Sequence, residues 1–482
     1  MKKKLFSLLS LAAVLGTTIS VTACGVTSSS SESTSTSEVT SSSVEVSSET
    51  SLPLTFDKNK PVEIKFYSTM GQNLVNAFDI FLEDFYEEYP NITVSHEQIG
   101  GYDDVLSQNK TELAIGEGPD ITYCYADHVA LYNKTGRVVK LDSLIDDPTY
   151  GLTQEQKDDF IPGYYEEGRQ FGDDNMYTLP LSKSTEVLYY NKTFFEKNNL
   201  TVPTTWDEME EVCAKIKALD PNSIPLGYDS ASNWFITMTE QLKSPYTSAD
   251  PSTGYFLFNN DTNKEFVKEF RTWYEKGYVT TQDLYGSYTS GLFTETAAEN
   301  QKCYMCIGSS AGASHQIPNK LEDGTYPFET GIVSIPQVDA ANNARVISQG
   351  PSLCLFDQKD PQKLMASWLL MRFLTTNASF QAQFAITSGY VPVIKSVNEI
   401  PAYKEHIKKT GNDYITSVSA NLCLQQEEYY FTSPAFLGSS KARIEVGNLL
   451  NKAFTEKGDA DTIINTAFND AIYNCQYEIG LV

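Results

Sequence analysis

The strongest constraint on the fold is an alternation of strand-like and helix-like segments that follows the first sixty residues. Residues 61–66 alternate apolar and polar side chains like a strand, and residues 74–89 carry apolar side chains at helical spacing. Two further strand-like segments follow at residues 92–94 and 121–125. Strands that alternate with helices favour a parallel sheet covered by helices on both faces. We therefore predict an α/β fold.

The same alternation returns in the second half of the chain. Residues 186–190 and 224–228 are strand-like, a helical segment opens at Trp206, and helical patterns cover residues 361–373 and 443–454. The 482 residues include 25 Phe, 29 Tyr and 4 Trp, which is enough apolar material for two or three domains of about 150 residues each. We predict two similar α/β lobes, each built partly from a distant stretch of chain.

The N-terminus has the pattern of a secretory signal. Lysines at positions 2–4 precede an apolar stretch at residues 5–21 that is short for a membrane span. Its end, Val21-Thr22-Ala23-Cys24, resembles a bacterial lipobox, although Val21 stands where that pattern usually has leucine. The resemblance implies that residues 1–23 are removed and that Cys24 carries a lipid anchor. An ordinary cleaved signal with a coincidental cysteine is the alternative.

Hydroxyl side chains dominate residues 27–51. Of these 25 residues, 18 are Ser or Thr, and the others are Glu and Val. Such a segment buries too little apolar surface to offset the entropy of ordering it. We interpret residues 24–58 as the lipidated cysteine followed by a flexible tether for the folded part.

The charge balance and the histidine count argue against several functions. The chain has 62 acidic and 36 basic side chains, a net charge of −26, and such a surface repels phosphate backbones. We therefore expect no nucleic-acid partner. The four histidines provide no spacing that is typical of a metal site, so we expect neither a metal nor a cofactor.

The cysteines are predicted to be buried thiols. The chain has eight, and without Cys24 an odd number remains, which cannot form a closed disulfide framework. Most of them lie in apolar surroundings, where free thiols pack well. Cys303 and Cys306 have the spacing of a redox pair, but they lie in a strand-like apolar run that does not favour this role.

Four short segments together form a recognisable pattern. They are, in chain order, Gly118-Pro119-Asp120-Ile121, residues 179–192 (Leu-Pro-Leu-Ser-Lys-Ser-Thr-Glu-Val-Leu-Tyr-Tyr-Asn-Lys), residues 203–209 (Pro-Thr-Thr-Trp-Asp-Glu-Met) and residues 389–393 (Gly-Tyr-Val-Pro-Val). With them, nearly all of residues 60–475 resembles family 1 extracellular solute-binding proteins of ATP-driven importers. The resemblance implies a two-lobed periplasmic-binding-protein-like fold of type II, with the ligand in the cleft between the lobes.

The resemblance also implies an organisation and a role. The N-terminal lobe would comprise residues 59–178 and 328–376, and the C-terminal lobe residues 179–327 and 377–482. The protein would be a lipid-anchored monomer without enzymatic activity at the extracellular face of the cell membrane. It would capture a small-molecule ligand and deliver it to the permease subunits of an ABC importer. A ligand-binding sensor or adhesin lipoprotein is the alternative.

Eight candidate ligand-binding residues are carried over from the resemblance: Tyr102, Asp127, Ser184, Trp234, Ser309, Gly350, Tyr390 and Arg443. Asp127 also follows the strand-like segment 121–125, where ligands of open α/β sheets bind. In sugar-binding members, the position of Trp234 stacks on a sugar ring, and the position of Arg443 carries a stacking tryptophan. The segments around Tyr102, Gly350 and Tyr390 resemble those with which the glycerol-phosphate subgroup surrounds its ligand.

Two ligand classes remain open. Aromatic faces beside the Asp127 carboxylate suit a sugar, whereas the guanidinium of Arg443 suits a phosphate or carboxylate group. Asp127 or another acid could pair with Arg443 in the empty site, and a neutral sugar would then be the ligand. We therefore expect a carbohydrate or a glycerol-phosphate-type polyol.

One pentapeptide favours a hydrolase instead. Gly308-Ser309-Ser310-Ala311-Gly312 has the GxSxG form of a nucleophile elbow after a strand-like segment. His315 lies too close to Ser309 in the chain to be the distal triad member, which leaves only His406. A secreted hydrolase is therefore the less favoured interpretation.

Overall fold

The computed structural model describes residues 55–482, so the predicted signal, Cys24 and nearly all of the predicted tether lie outside the described residues. The strands of this part are β1 (Val62–Ser68), β2 (Ile92–Gln98), β3 (Ile121–Cys124), β4 (Leu179–Pro180), β5 (Ser184–Asn191), β6 (Leu226–Tyr228), β7 (Val279–Thr281), β8 (Met305–Ser309), β9 (Thr330–Ser334), β10 (Val346–Gln349), β11 (Ser352–Leu355) and β12 (Tyr430–Phe431). They include all the segments that the sequence predicts to be strands.

The α-helices are α1 (Gln72–Glu88), α2 (Tyr102–Ala114), α3 (Ala126–Tyr132), α4 (Asp142–Ile145), α5 (Gln154–Asp159), α6 (Pro162–Glu166), α7 (Lys192–Lys197), α8 (Trp206–Leu219), α9 (Ala231–Gln241), α10 (Asp261–Glu275), α11 (Gln282–Tyr285), α12 (Ser290–Phe293), α13 (Pro361–Thr376), α14 (Ala378–Ser388), α15 (Pro401–His406), α16 (Ile415–Gln425), α17 (Ser439–Thr455) and α18 (Ala460–Glu478). Across residues 55–482, none of the helices has both the length and the apolar character needed to cross a membrane.

Local signals in the sequence set several helix starts. The hydroxyl of Thr205 accepts a hydrogen bond from the Glu208 amide at 3.2 Å, and the Glu208 carboxylate accepts one from the Thr205 amide at 3.3 Å. This reciprocal cap begins α8 at Trp206, as the sequence predicts. At the start of α13, the Asp360 carboxylate accepts hydrogen bonds from two backbone amides, and the proline that follows has a fixed φ that suits the first helical turn.

Within residues 55–482, the strands form two sheets. The first has the order β2-β1-β3-β11-β4, and the second has the order β12-β10-β5-β8-β6-β7 with β9 paired to β5. β1 is parallel to β2 and β3, and β6 is parallel to β7 and β8. β11 and β5 run antiparallel to their neighbours, so the predicted parallel sheet is correct only for part of each sheet.

Each sheet has a hydrophobic core of its own, and this confirms the predicted pair of α/β lobes. We call the sheet that contains β1 and the helices packed on it the first lobe, and the sheet that contains β5 with its helices the second lobe. Helices α1, α13 and α14 contribute to the core of the first lobe, while α8, α9, α10, α17 and α18 contribute to that of the second. Apolar burial of this extent is the main favourable term in the free energy of folding.

Two chain crossovers that connect the lobes touch each other. Residues 181–183 lead from β4 to β5, and Gly350 and Pro351 lead from β10 back to β11. Gly350 has a φ of +107°, and a Cβ on it would lie 2.6 Å from the carbonyl oxygen of Ser182. Glycine is therefore required here both for its backbone conformation and for the space.

A buried ion pair lies beside these crossovers. The ammonium of Lys183 pairs with the carboxylate of Glu167 and donates a hydrogen bond to the Ser352 hydroxyl at 3.2 Å. The Val391 amide donates to the Lys183 carbonyl at 2.7 Å, so that a third segment of chain is bonded to the same crossover. Removal of one partner of such a pair leaves an uncompensated buried charge.

The predicted lobe boundaries as a whole stay a prediction, but individual strands differ from them. β9 and β10 lie inside the segment 328–376 that the sequence analysis gave to the N-terminal lobe, yet both pair with β5 in the second lobe. Helix α14 was given to the C-terminal lobe, yet it packs on α1 in the first, with the rings of Phe81 and Phe380 5.6 Å apart. Such long-range pairings leave no signal in local hydrophobic patterns.

The cysteines of the described residues are free thiols, as predicted. Cys124, Cys213, Cys303, Cys306, Cys354, Cys423 and Cys475 are all buried, and no disulfide joins any two of them. Burial raises the pKa of the Cys475 thiol to about 12 and also raises the pKa values of the thiols of Cys124, Cys213, Cys303, Cys306 and Cys423. Thiols with a raised pKa are poor nucleophiles, which argues against a redox role for Cys303 and Cys306.

Candidate functional site

A cavity of about 760 Å³ lies between the two lobes, and we call it the main cavity. The first lobe contributes tyrosines, and the second contributes polar and charged side chains. Its principal lining residues are Tyr102, Tyr125, Ser184, Glu186, Asp229, Ser230, Asn233, Tyr288, Ser309, Gln349, Tyr390 and Arg443. Its volume is in the range of small-molecule sites, which is about 300–1,000 Å³.

The ends of parallel strands bring these side chains together. Tyr125 directly follows β3, Asp229 directly follows β6, and Ser309 is the last residue of β8. Helix α9 begins next to Asp229, where the Ser230 hydroxyl accepts a hydrogen bond from the Asn233 amide at 3.1 Å. The cavity therefore lies at the carboxyl ends of strands, the place where open α/β sheets bind ligands.

Three tyrosines form the wall of the first lobe. The hydroxyls of Tyr102 and Tyr390 are 3.4 Å apart, and the ring centroids of Tyr102 and Tyr125 are 4.5 Å apart. Burial raises the pKa of each of the three hydroxyls, so all of them stay neutral at physiological pH. Each can offer a ring face to C–H groups and a hydroxyl to a ligand oxygen.

Arg443 on α17 places a positive charge in the wall of the main cavity on the side of the second lobe. Its guanidinium donates a hydrogen bond to Asn233 Oδ1, and Asn233 Nδ2 donates to Gln349 Oε1 at 2.9 Å. In the described part of the chain, no carboxylate forms a salt bridge with the guanidinium, although Arg443 interacts electrostatically with Glu186 at longer range. The charge and donors of Arg443 are therefore open to an anionic ligand group.

Glu186 on β5 brings a buried carboxyl to the same cavity. Glu186 is only 1% exposed, and the Tyr228 hydroxyl donates a hydrogen bond to Glu186 Oε2 at 2.6 Å. Burial raises the pKa of Glu186 from 4.5 to about 7, although Tyr228, Asn233 and Arg443 partly oppose this shift. The carboxyl is thus poised to gain or lose a proton near neutral pH.

This pKa predicts a pH dependence of stability that Glu186→Gln removes. Between pH 4.5 and about 7, the folded protein holds a proton on Glu186 that the unfolded chain has lost, so the free energy of unfolding falls as the pH rises. A shift of this size corresponds to about 3 kcal/mol. Denaturant unfolding from pH 4 to pH 8 should therefore show Glu186→Gln gaining up to that amount over the wild type. Parallel pH profiles for the two proteins would contradict the prediction.

The Asp229 carboxylate positions a loop at the mouth of the cavity. Asp229 Oδ1 accepts hydrogen bonds from the amide and the hydroxyl of Thr289, at 2.7 and 2.6 Å. The neighbouring Tyr288 lines the cavity and is 62% exposed. Its ring is therefore an available aromatic surface on the side of the second lobe.

The structure brings five of the eight candidate residues together in the main cavity: Tyr102, Ser184, Ser309, Tyr390 and Arg443. Asp127 instead lines a smaller neighbouring cavity of about 60 Å³, which we call the side cavity. Gly350 lines neither of them, because it packs against the crossover at Ser182. The candidate lipid-attachment residue Cys24 lies outside the described residues. The binding roles of all these residues stay predictions.

Trp234 does not face the main cavity, which corrects its interpretation as a ligand-stacking residue. It is 0% exposed and lies in the core of the second lobe, with its ring stacked on Tyr228 at 4.8 Å and next to Phe270 at 4.3 Å. Neighbouring residues on a helix point in directions about 100° apart. Asn233 therefore faces the cavity while Trp234 faces the core.

Sequence reasoning missed several lining residues, among them Tyr125, Glu186, Asp229, Asn233 and Tyr288. The signal for Asp229 and Asn233 was present, since Asp-Ser follows a strand-like segment and precedes a helix. Glu186 is the one charged side chain of β5, and a charge in a buried strand is informative. Tyr288 lies in a loop, and no local pattern in the sequence marks it.

The serine of the GxSxG pentapeptide lines the main cavity without the partners of a nucleophile. Ser309 Oγ accepts a hydrogen bond from the Ala311 amide at 3.2 Å, and a short 3-10 helix follows instead of a long helix. Among the described residues, no histidine is hydrogen-bonded to Ser309. His406, the remaining candidate, lies in α15 and its pKa is lowered by burial. The arrangement does not favour a hydrolase.

Comparison with known proteins gives a family and a set of structural neighbours. Residues 81–410 match the family model of the bacterial extracellular solute-binding proteins. The sn-glycerol-3-phosphate-binding periplasmic protein UgpB of Yersinia pestis bv. Antiqua is 23% identical over 370 residues, which cover 73% of this chain and 79% of that relative.

Two solved structures illustrate the structural likeness. UgpB of Mycobacterium tuberculosis in complex with glycerophosphocholine is 17% identical with a TM-score of 0.69, and the match covers 87% of this chain and 99% of that one. The substrate-binding protein Lmo0181 of Listeria monocytogenes in complex with cycloalternan is 16% identical with a TM-score of 0.68, covering 88% and 100%. The likeness confirms the predicted two-lobed fold of type II.

Proposed function

We propose that this chain, which belongs to the bacterial extracellular solute-binding protein family, binds a carbohydrate or a glycerol-phosphate-type polyol between its lobes for an ABC importer. The observation that carries the proposal is the main cavity, where three tyrosines of one lobe face the charged Arg443 of the other. Tyrosine rings and hydroxyls suit the C–H and O–H groups of a polyol. Members of such a family bind solutes rather than transform them, so we assign no enzymatic activity.

The comparisons support both ligand classes. One similar protein is named for sn-glycerol-3-phosphate, one similar structure holds glycerophosphocholine, and another holds a cyclic oligosaccharide. The guanidinium of Arg443, which forms no salt bridge in the described part of the chain, favours an anionic ligand group. The tyrosines of the main cavity, Tyr288 among them, favour a hydroxylated ligand group. A glycerophosphate has both kinds of group. The proposal therefore covers both classes, with a glycerophosphate as the first candidate to test.

A ligand screen tests this proposal directly. Calorimetry or thermal unfolding would be measured with maltose, longer oligosaccharides, sn-glycerol-3-phosphate and glycerophosphodiesters. A ligand at 100 times its dissociation constant stabilises the folded state by about 2.7 kcal/mol, which raises the unfolding midpoint by about 2–4 °C. We expect at least one of these compounds to do so. Binding of only a peptide or an amino acid would contradict the assigned ligand class.

We further propose that Cys24 carries the lipid that anchors the protein at the extracellular face of the membrane, where it delivers ligand to the permease subunits. The support is the sequence pattern, in which an apolar stretch and small residues lead into Cys24. Incorporation of a radioactive fatty acid should be lost in Cys24→Ala. Unchanged labelling of that variant would contradict the anchor, and unchanged solute uptake after deletion of the gene would contradict the transport role.

A further inference from the structure

The wall of the main cavity carries two acidic groups against one permanent positive charge. In the described part of the chain, Glu186 and Asp229 are the carboxyl groups of this wall, and Arg443 supplies the guanidinium. If both carboxyls were ionised, the wall would have an excess of negative charge and would repel the anionic ligand group that Arg443 suits. The site therefore holds an anion best when one of the two carboxyls is neutral.

The geometry singles out Glu186 as the carboxyl that becomes neutral. Asp229 is only partly buried, and its Oδ1 accepts hydrogen bonds from the amide and the hydroxyl of Thr289, which stabilise its charged form. Glu186 is only 1% exposed, so that a charge on it loses more of its hydration. Burial raises the pKa of both carboxyls, and the pKa of Glu186 reaches about 7.

Glu186 and Arg443 are coupled through one neutral side chain that lies between them. Asn233 Oδ1 accepts a hydrogen bond from the Arg443 guanidinium, and the Asn233 side chain also interacts with the Glu186 carboxyl. The positive charge of Arg443 lowers the pKa of Glu186. An anion bound to Arg443 would offset this effect and add its own repulsion, and both changes favour the protonated carboxyl. Because the coupling acts through charge, it requires no contact between the ligand and Glu186.

The other groups around Glu186 are neutral side chains and one histidine. Strands β8, β9 and β10, which pair with β5, and helix α16, which packs on it, carry no charged side chain. Tyr228 on β6 stays neutral because burial raises its pKa. His315 is exposed on the short 3-10 helix after β8 and also lines the main cavity. Histidine side chains in general can gain a proton near neutral pH, so a test of Glu186 needs a variant of His315 as a control.

We infer that the binding of an anionic ligand at Arg443 is coupled to the uptake of one proton from solvent by the Glu186 carboxylate. The site would then accept anions readily below neutral pH and lose affinity for them above it. A neutral sugar leaves the charge of Arg443 unchanged, so its binding should take up no proton. The inference rests on the proposed function and adds a residue that determines which ligand charge the site accepts at a given pH.

The substitution Glu186→Gln tests this coupling, because glutamine is always neutral and still offers an oxygen to the Tyr228 hydroxyl. Calorimetry at pH 6 and pH 8 would measure the affinity of both proteins for glycerophosphoglycerol and sn-glycerol-3-phosphate. We expect equal affinities at pH 6, and at pH 8 about three- to tenfold weaker binding by the wild type than by the variant. Any titration of the ligand itself cancels, since the two proteins are compared at the same pH. For maltotriose, the ratio of the two affinities should not change with pH.

Two control variants and one measurement on the wild type make the test specific. Glu240→Gln neutralises another glutamate whose pKa burial raises, on α9 but outside the lining of the main cavity, and His315→Gln removes the imidazole. Both variants should keep the pH dependence of the wild type. In the wild type at pH 7.5, calorimetry with glycerophosphoglycerol in two buffers of different ionisation enthalpy should show the uptake of about half a proton. This readout does not depend on the folding of any variant.

Wild-type affinity for the anions that follows that of Glu186→Gln at both pH values, without proton uptake, overturns the coupling and leaves the proposed function in place. A pH dependence that is lost in His315→Gln instead also overturns it, because the proton then belongs to the imidazole. If maltotriose is the only probe that binds, the coupling is wrong while the proposed function stands. If none of the three probes binds to the wild type, the proposed ligand class is wrong, and the coupling is wrong with it.

Discussion

Replacing Arg443 by methionine is expected to weaken the binding of a phosphorylated ligand by at least about 100-fold, or about 3 kcal/mol. The guanidinium lines the main cavity, its contact with Asn233 is to a neutral amide, and no ion pair neutralises it within the described part of the chain. It is therefore the natural partner of a ligand anion in this partly buried site. Methionine keeps most of the side-chain volume, so the loss reports the charge and its donors.

Two comparisons show whether this loss is specific. Lys441→Ala removes a charge two residues away on the same helix, where Lys441 pairs with Glu445 at 2.7 Å outside the main cavity, and it should leave affinity unchanged. Arg443→Lys keeps the charge but loses the planar fork, so it should recover only part of the affinity. If Arg443→Met binds the phosphorylated ligand within about threefold of the wild type, Arg443 does not recognise the anion. A neutral sugar would then be the better ligand.

Replacing Trp234 by alanine is expected to destabilise the protein by about 3–5 kcal/mol, the range for large aromatic side chains in cores. Besides Tyr228 and Phe270, the indole ring lies 6.2 Å from the ring of Trp206 and 5.9 Å from that of Phe454. The substitution removes all these contacts and leaves a cavity that the packed neighbours can fill only in part. Denaturant unfolding, followed with and without ligand, measures the effect.

An exposed aromatic residue provides the control for this prediction. Tyr477 on α18 is 68% exposed, so Tyr477→Ala should change the free energy of unfolding by less than about 0.5 kcal/mol. The folded fraction of Trp234→Ala should still bind ligand, because Trp234 does not line the main cavity. Wild-type stability combined with lost binding in Trp234→Ala would restore the stacking role that the sequence suggested.

The sequence was sufficient for the type of fold because its signals are local. Strand and helix periods, the cap at Thr205 and the four recognisable segments each need only a few consecutive residues. Arg443, Tyr102 and Tyr390 were carried over from the resemblance to the family, and the structure places all three in the main cavity. Their function in ligand binding is still to be measured.

What the sequence could not provide depends on long-range geometry. The difference between Asn233 and Trp234 is a rotation of about 100° about α9, and only the packing of that helix decides which side chain faces the cavity. The pairing of β9 with β5 joins Asn191 to Thr330, far apart in the chain, and no local pattern encodes such a partner. The side cavity likewise needs Asp127, Tyr246 and Ser348 from three separate segments.

The buried thiols allow local unfolding of this protein to be measured by chemical modification. A maleimide or disulfide reagent finds no accessible sulfur in the described part of the native chain, so every adduct there records an unfolding event. The positions are also distributed by lobe: Cys423 packs in the core of the first, and Cys213 and Cys475 in that of the second. Peptide mass mapping of the adducts would therefore give separate opening rates for the two lobes, without any engineered label. Ligand that bridges the lobes should slow both rates together.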